Sequence, residues 1–483
     1  MKCVLVIPSW EPEEIFPTKT AASQINYWQP LGTLSVASSL LEAGHDVKFL
    51  NGAFLDHAGI LDEIERYAPE FVGLYSTAFG WYKAVKTAED IKKLIPGAFL
   101  AVGGPYPIAM KDKCLKDTDA IDAVVTGEGE FTVIEMIERL SEERSLHGVK
   151  GVAFRSQRDV IWRNPERDLI ADLDSLPFPA RELLGHDEYI PPPATYKRKP
   201  VAVIMTSRGC NRRCIFCFQM DRERKSGIRF RSVENVMKEI ELCLAQGYRE
   251  IKFIDDNFAA DRQRARNIAR EIKKQGLDFT WFASACVHHV DLEMLSEFKD
   301  AGCWAILMGA ESGVQKDLNT LKKGITVEQI RKAVTVAKQA GLRVFTPFLF
   351  GIPGQTYEDG LRSIDFACEI DPDVANFHAL TPFPGTELYD KVDDYGWMSD
   401  NLADLTYQGS AFVPYTMSRK QISDLRQVAF RRFYSRPRFL LRRVIGLRSL
   451  NDLIAAYRGI KSLFWIMVKK GLFKRPEPEG TNL

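Results

Sequence analysis

A chain of 483 residues is too long for one ordinary hydrophobic core and implies about three domains. With 45% hydrophobic and 27% charged residues it has the composition of a soluble globular protein, and a formal net charge of +1 leaves no global footprint for nucleic acid, so no such partner is expected. Nine cysteines, an odd number with only one tight group, argue against a disulfide framework and for a reducing, cytoplasmic location. The first residues run directly into a strand signal, so no signal peptide is expected, and no apolar run reaches transmembrane length.

Residues 1 to about 140 alternate strand and helix signals. Strands are expected at Cys3–Ile7, Asp46–Leu50, Phe71–Tyr75, Phe99–Val102 and Ala120–Val125. Helices are expected at Gly32–Leu41, Ile60–Tyr67, Tyr82–Leu94 and from Phe131. Short apolar strands with helical crossovers imply a doubly wound parallel sheet, which binds ligands at the carboxyl ends of its strands. Ser76, Thr77, Gly103, Gly104, Gly127, Glu128 and Gly129 lie there.

The combination of Pro30-Leu31-Gly32, Gly44-His45-Asp46-Val47, Gly103-Gly104 and Gly127-Glu128-Gly129-Glu130 resembles the cobalamin-binding domain fused to many radical S-adenosylmethionine (SAM) enzymes. The resemblance implies cobalamin at those strand ends. Two departures stand out. The D-x-H-x-x-G pattern that supplies a histidine to cobalt is absent: Asp56-His57-Ala58-Gly59 has the wrong spacing, and His57 reads as a loop histidine. Tyr106 occupies a position where many relatives carry histidine, and it joins the cobalamin-contact candidates. The other reading is a domain that keeps the fold, holds no corrin and shapes the substrate site.

Gly151–Phe154 and Asp159–Trp162 read as a hairpin in a linker that continues through Asp172 to Arg181, where two prolines forbid helix. Tyr189–Pro200 reads as a basic loop over the site. From Val201 the βα rhythm resumes, with strands at Val201–Met205, Glu250–Ile254, Phe279–Ala283, Trp304–Met308, Arg343–Leu349 and Asp373–Leu380. Six βα units suggest a partial TIM-type barrel. The expected divisions are an N-terminal domain at 1–145, a linker at 146–198, the barrel at 199–396 and a basic, mainly α-helical region at 397–483.

The first barrel strand breaks at Gly209 into Cys210, Cys214 and Cys217, a C-x3-C-x2-C group. Thiolates suit zinc or iron–sulfur clusters. A closed zinc site needs a fourth ligand, and the nearest histidine, His186, precedes the strand. Three thiolates leave one iron of a cluster free.

This segment, with Phe216 before the third cysteine, resembles the cluster motif of radical SAM enzymes. The resemblance implies a 4Fe–4S cluster on the three cysteines, SAM on its open iron, and reductive cleavage to a 5′-deoxyadenosyl radical that abstracts hydrogen from an unactivated carbon. It implies SAM contacts at Phe216, at Asp255, Asp256 and Asn257 after strand two, at Ser284 after strand three, at Glu311 after strand four, and at Gly351, Pro353 and Gly354 after strand five. Relatives place an arginine near Cys286; this chain does not. Adjacent strand residues point to opposite faces, so His288 and His289 are not expected to serve one site.

Arg419 to Arg475 holds sixteen basic and two acidic residues, interleaved with apolar runs such as Leu463–Val468. Such helices either lie on an anionic membrane surface or pack on the enzyme with a solvated basic face. The leading reaction is cobalamin-dependent C-methylation of a small-molecule or lipid-like substrate. The alternative is radical dehydration, dehydrogenation, cyclisation or rearrangement in sugar, aminoglycoside or lipid biosynthesis. A reductase or flavodoxin-type electron donor is the expected partner.

Overall fold

The computed structural model describes residues 1–11, 14, 27–142, 145–156, 160–185, 188–192, 195–220, 227–406 and 409–445, the side chains of 442–445 excepted. The basic tail beyond 445, including Leu463–Val468, lies outside the described residues, as do His186 and Asp159.

The N-terminal sheet contains β1 (Lys2–Ile7), β2 (Asp46–Asn51), β3 (Phe71–Tyr75), β4 (Phe99–Gly103), β5 (Ala123–Val125), β6 (Val152–Arg155) and β7 (Ile161–Arg163), in the order β2-β1-β3-β4-β5-β6-β7. The first five run parallel. Side-chain alternation along each strand feeds two cores. Val4 and Val6 pack under helices His57–Tyr67 and Trp81–Leu94, while Cys3 and Leu5 pack under Leu31–Glu42 and Glu130–Ser141. The expected linker hairpin is an integral part of this sheet. β6 pairs antiparallel with β5, and β7 with β6, extending it to seven strands. The fifth strand is shorter than expected, beginning at Ala123.

The second sheet holds β8 (Val201–Ile204), β11 (Glu250–Phe253), β12 (Thr280–Ser284), β13 (Cys303–Leu307), β14 (Arg343–Phe350) and β15 (Val374–Ala379). All pair parallel in the order β15-β14-β13-β12-β11-β8, so the barrel is partial and β8 and β15 are edges. Between β8 and β11 a two-residue ribbon pairs β9 (Ser207–Arg208) with β10 (Arg229–Phe230). Side-chain acceptors start the outer helices. Ser232, Asp261, Asp291, Thr326 and Thr356 each accept a backbone N–H of their helix's first turn, and Thr326 and Thr356 complete capping boxes. Ile251 and Phe253 face the core under those helices, whereas Phe282, Trp304 and Phe345 form an inner aromatic group.

An antiparallel ribbon of β16 (Gly396–Met398) and β17 (Phe412–Pro414) follows the barrel. Helix Arg419–Tyr434 then packs Ile422, Leu425 and Phe433 into the barrel core. Leu425 lies where a Cβ at Gly360 would stand, so the two helices approach closely. This first part of the basic region is a helix packed on the barrel through its apolar face, with Arg419, Lys420, Arg431 and Arg432 exposed. Among the described residues no helix is long and apolar enough to cross a membrane.

The exposed edge of β8 is sealed by side chains of other segments. The Val203 amide donates to Gln29 Oε1 at 3.0 Å, and the Val203 carbonyl accepts from Arg181 Nη2 at 2.6 Å. Gln29 Nε2 donates to Tyr248 Oη at 2.9 Å. Arg181 also pairs with Glu239 at 2.6 Å, and Arg231 takes the other Glu239 oxygen; Glu239 is fully buried. Removing one member of a buried charge group strands the others. Glu239→Ala is therefore expected to lower the unfolding free energy by about 3–5 kcal/mol in chemical denaturation; a loss below about 1 kcal/mol would show that the group behaves like a surface pair.

Candidate active site

The cysteine loop leaves β8 through Gly209, whose φ of +93° is the left-handed conformation that glycine adopts without strain. The loop is pinned on both sides: the Ile215 amide donates to the Leu321 carbonyl at 3.1 Å, and the Leu388 amide to the Ile215 carbonyl at 2.8 Å. Ile215 packs with Leu321, Leu349, Ile352, Leu380 and Leu388, and Phe216 rests against this group. The Cys214 thiol is drawn down to about 7 by a hydrogen bond from Cys217, with the Lys323 and Arg212 cations assisting against burial. The same bond and burial hold Cys217 up. Among the described residues no three His, Cys, Asp or Glu side chains converge as a single-ion site requires. Three thiolates on one loop can bind three different irons of one cluster.

The strand ends around this loop are ordered by a buried polar layer. Asp255 accepts from the Thr206 amide at 3.1 Å, the Thr206 hydroxyl at 2.8 Å and the Ser207 hydroxyl, and burial pushes its carboxyl up. Asn257 accepts from the Cys286 amide at 3.0 Å and contacts His289 Nδ1 at 2.7 Å. β12 ends at Ser284, so His288 and His289 sit in a turn beyond it, and strand alternation does not separate them. Their rings lie 4.0 Å apart, and His288 meets Arg212 of the cysteine loop. Glu311 has φ +62°, a strained conformation for a residue with a Cβ, and is held there by a bridge to Phe348 and an ion pair with Lys323 at 2.6 Å. Behind the Gly351–Gly354 turn, Gln355 accepts from the Gly351 amide at 3.0 Å and donates to Asp317 at 2.7 Å; Ser312 donates to the same Asp317 oxygen at 2.8 Å.

A cavity of about 470 Å³ lies between the two sheets. Tyr75, Gly103, Gly104, Gly127 and Gly129 line it from the N-terminal strand ends; Met205, Ser207, Gly209, Ile254 and Asp256 line it from the barrel. At Gly103 and Gly127 a Cβ would project into open space, whereas at Gly104, with φ +101°, it would strike the Ser76 carbonyl at 2.8 Å. The glycines therefore form a flat cradle, an arrangement that fits a corrin.

One wall of the cavity is a charge clamp. Arg208 and Arg229 are direct partners on the β9/β10 ribbon, a like-charged pair that is unfavourable by itself. Glu128 resolves it, accepting from Arg208 at 2.9 Å and from both Arg229 terminal nitrogens at 2.9 Å. Its Oε2 also accepts from the Ile170 amide at 2.7 Å. Glu130 takes the other Arg208 nitrogen at 2.6 Å and accepts from Ser35 at 2.9 Å. Burial of Glu128 is outweighed by the two arginines, and its carboxyl stays below the usual range.

A radical SAM superfamily model matches residues 204–367, and a B12 binding domain model matches residues 19–137. The chain is 33% identical over 475 residues, 95% of its length and 99% of the relative's, to an uncharacterized methyltransferase of Pyrococcus horikoshii. The chain belongs to the radical SAM enzymes that carry a B12-binding domain. It is also 26% identical over 424 residues, 86% of its length and 75% of the relative's, to the anaerobic magnesium-protoporphyrin IX monomethyl ester cyclase of Rubrivivax gelatinosus. Among solved structures it shares its fold with the radical SAM methyltransferase TsrM of Kitasatospora setae, at a TM-score of 0.67, 21% identity, and coverage of 87% of this chain and 82% of that one. The cofactors of this enzyme class are SAM, a 4Fe–4S cluster and cobalamin.

Within this radical SAM enzyme the expected site residues separate into groups. Cys210, Cys214, Cys217 and Phe216 share the loop, and Ser284, Glu311, Gly351, Pro353 and Gly354 lie at neighbouring strand ends. Asp256 lines the cavity, while Asp255 and Asn257 are engaged by protein groups. Of the cobalamin candidates, Gly103, Gly104, Gly127, Glu128 and Gly129 line the cavity, and Glu128 is saturated by arginines. Ser76, Thr77 and Tyr106 do not line it. Tyr106 is buried in the domain core, its ring 5.0 Å from that of Trp81. His57 contacts Asp90 at 3.0 Å and does not line the cavity either. Sequence reasoning missed Arg208, Arg229 and Lys323. Arg208 stands two residues before Cys210, but nothing local reveals that its partners lie 78 and 80 residues away.

Cys214→Ala is expected to abolish the cluster, read as loss of bound iron and of the visible charge-transfer band; retained SAM cleavage would refute the ligand assignment. Glu128→Ala leaves Arg229 without its counter-ion and Arg208 with Glu130 alone, so reconstitution is expected to yield less bound iron than in wild type. Glu65→Ala, on an exposed helix face, is the control and is expected to load normally; equal iron in both variants would rule out the clamp's role.

Proposed function

We propose that the chain is a cobalamin-dependent methyltransferase that uses radical SAM chemistry on an unactivated carbon of a small biosynthetic molecule. The observation that carries this reading is the cavity lined on one side by the glycine cradle and on the other by Gly209 and Phe218, which flank the three cysteines. It is supported by the methyltransferase relative that matches almost end to end. Cys210, Cys214 and Cys217 would hold the cluster. Ser284, Glu311 and the Gly351–Gly354 turn would meet SAM, and Gly103, Gly104, Gly127 and Gly129 would face the corrin. Bound there, the cluster and SAM supply a carbon-centred radical and cobalamin a transferable methyl group.

The chain's own residues do the rest. Lys323 and Arg212 set positive charge beside the thiolates. Gly351 and Gly354, with φ of +82° and +73°, let the backbone approach a flat ligand. The apolar strand-end side chains Met205 and Ile254 exclude water from the space between the two sites. No described histidine lines the cavity. A reductase or flavodoxin-type protein is the electron donor this chemistry needs. The cyclase relative favours a second reading, radical cyclisation without methyl transfer.

The test is incubation of the reconstituted chain with reductant, SAM labelled in its methyl group, and a small-molecule extract. Methylation predicts 5′-deoxyadenosine and S-adenosylhomocysteine together, with the label in a product and none when cobalamin is omitted. 5′-Deoxyadenosine without S-adenosylhomocysteine would replace methylation by the second reading. An intact cluster that never cleaves SAM would defeat both.

A further inference from the structure

Lys252, at the middle of β11, has no role in the site described so far. Its neighbours Ile251 and Phe253 are buried under the helices, so strand alternation turns Lys252 to the inner side of the barrel. There its Nζ lies 4.1 Å from the ring centre of Trp28 and 4.7 Å from that of Phe282. Trp28 belongs to the segment that seals the β8 edge through Gln29. Ile254, two residues on and on the same face, lines the cavity. Lys252 therefore stands one side-chain layer beneath the cavity, and it remains partly accessible.

The ammonium has no counter-ion among the described residues. Glu250, two residues earlier on the same face, is already engaged: it accepts from Trp304 Nε1 at 2.5 Å, from the Lys197 and Arg198 amides at 3.1 Å each, and from the Thr280 hydroxyl. Burial alone pulls the Lys252 ammonium down to about 8. An unpaired charge taken from water is costly, and two aromatic faces offset only part of that cost. Between Trp28 and Phe282 an apolar side chain would pack without it. A cation held in this way suits an anion delivered by a ligand.

We propose that Lys252 anchors an anionic group, a carboxylate or a phosphate ester, of the molecule on which the barrel acts, with the apolar part of that molecule against Trp28 and Phe282. This names a substrate class and rests on the barrel being the enzyme site argued above. The SAM-facing motifs begin at the layer of Ser284 and follow the strand ends, whereas Lys252 pairs with Phe282, so the anchor lies one layer deeper in the barrel than they do.

The test uses the full chain with its cluster reconstituted, with and without cobalamin. Phenylacetate and phenyl phosphate are the probes, benzyl alcohol the uncharged control, and magnetisation transfer from protein to probe the readout. At least one anion is expected to bind, with affinity falling about tenfold or more in Lys252→Met and in Lys252→Gln, as for a lost charge-assisted hydrogen bond. Lys252→Arg is expected to retain most of the binding, and benzyl alcohol to behave alike in all forms. Lys252→Met is expected to melt no lower than wild type, because it replaces an uncompensated charge by an apolar chain. Unchanged anion affinity in both uncharged variants, or no anion binding by wild type, overturns the proposal. Displacement of the anions by SAM alone or by cobalamin alone assigns the anchor to that cofactor and overturns it as well. Anion binding is read without turnover: loss of SAM cleavage with anion binding intact defeats the proposed function, and the reverse defeats only the anchor.

Discussion

Buried charge joins the two halves of this molecule, and the cofactor site depends on it. Arg208 and Arg229 face each other on a ribbon of two residues per strand, too short to be stable by itself. Glu128 and Glu130, from the loop after β5, supply the missing charge. A second group, Arg181 with Glu239 and Arg231, performs the same service at the edge of β8. In the first group acids and bases come from distant parts of the chain; in the second Arg231 stands eight residues before Glu239 and only Arg181 is brought in from afar, so neither group is complete until the distant segments have met. Burial makes each group intolerant of losing a member. The cysteine loop hangs from the ribbon that the first group holds, so the N-terminal domain is a structural part of the cluster site.

The site itself divides labour between side chains and backbone. Asp255 through Oδ1 and Asn257 through its amide engage protein groups, the former tying down the end of β8 and the latter the turn that carries Cys286 and His289, while the buried Asp255 Oδ2 accepts no hydrogen bond from the described residues. Their work is to hold the frame. Glycines leave the backbone bare at Gly103 and Gly127 on one side and turn it sharply at Gly351 and Gly354 on the other. At Glu311 a left-handed backbone is held by the parallel bridge to Phe348 and by Lys323.

Much of the architecture was legible in local pattern. Short apolar strands such as Phe71–Tyr75 and Val201–Ile204 announce themselves because a strand buried on both faces must be apolar throughout. Helices begin at Ser232, Asp261, Thr326 and Thr356 because those side chains satisfy the first free amides. The hairpin of β6 and β7 was visible as two strands, but its membership of the N-terminal sheet was not, since edge pairing with β5 leaves no mark in the local sequence. His288 and His289 were misread because strand alternation was applied four and five residues beyond the point where β12 ends.

The sequence by itself determined the order of strands and helices, the cysteine spacing, and the glycines on which flat ligands can rest, because each of these is dictated by chemistry within a few residues. Only the tertiary structure decided which charges are spent on other charges and which are left over. Glu128, a ligand candidate by its position, is consumed by Arg208 and Arg229, whereas Lys252, unremarked in its strand, faces the barrel interior without a partner among the described residues. Pairing between charged groups depends on distance in space, and nothing in the local sequence encodes it.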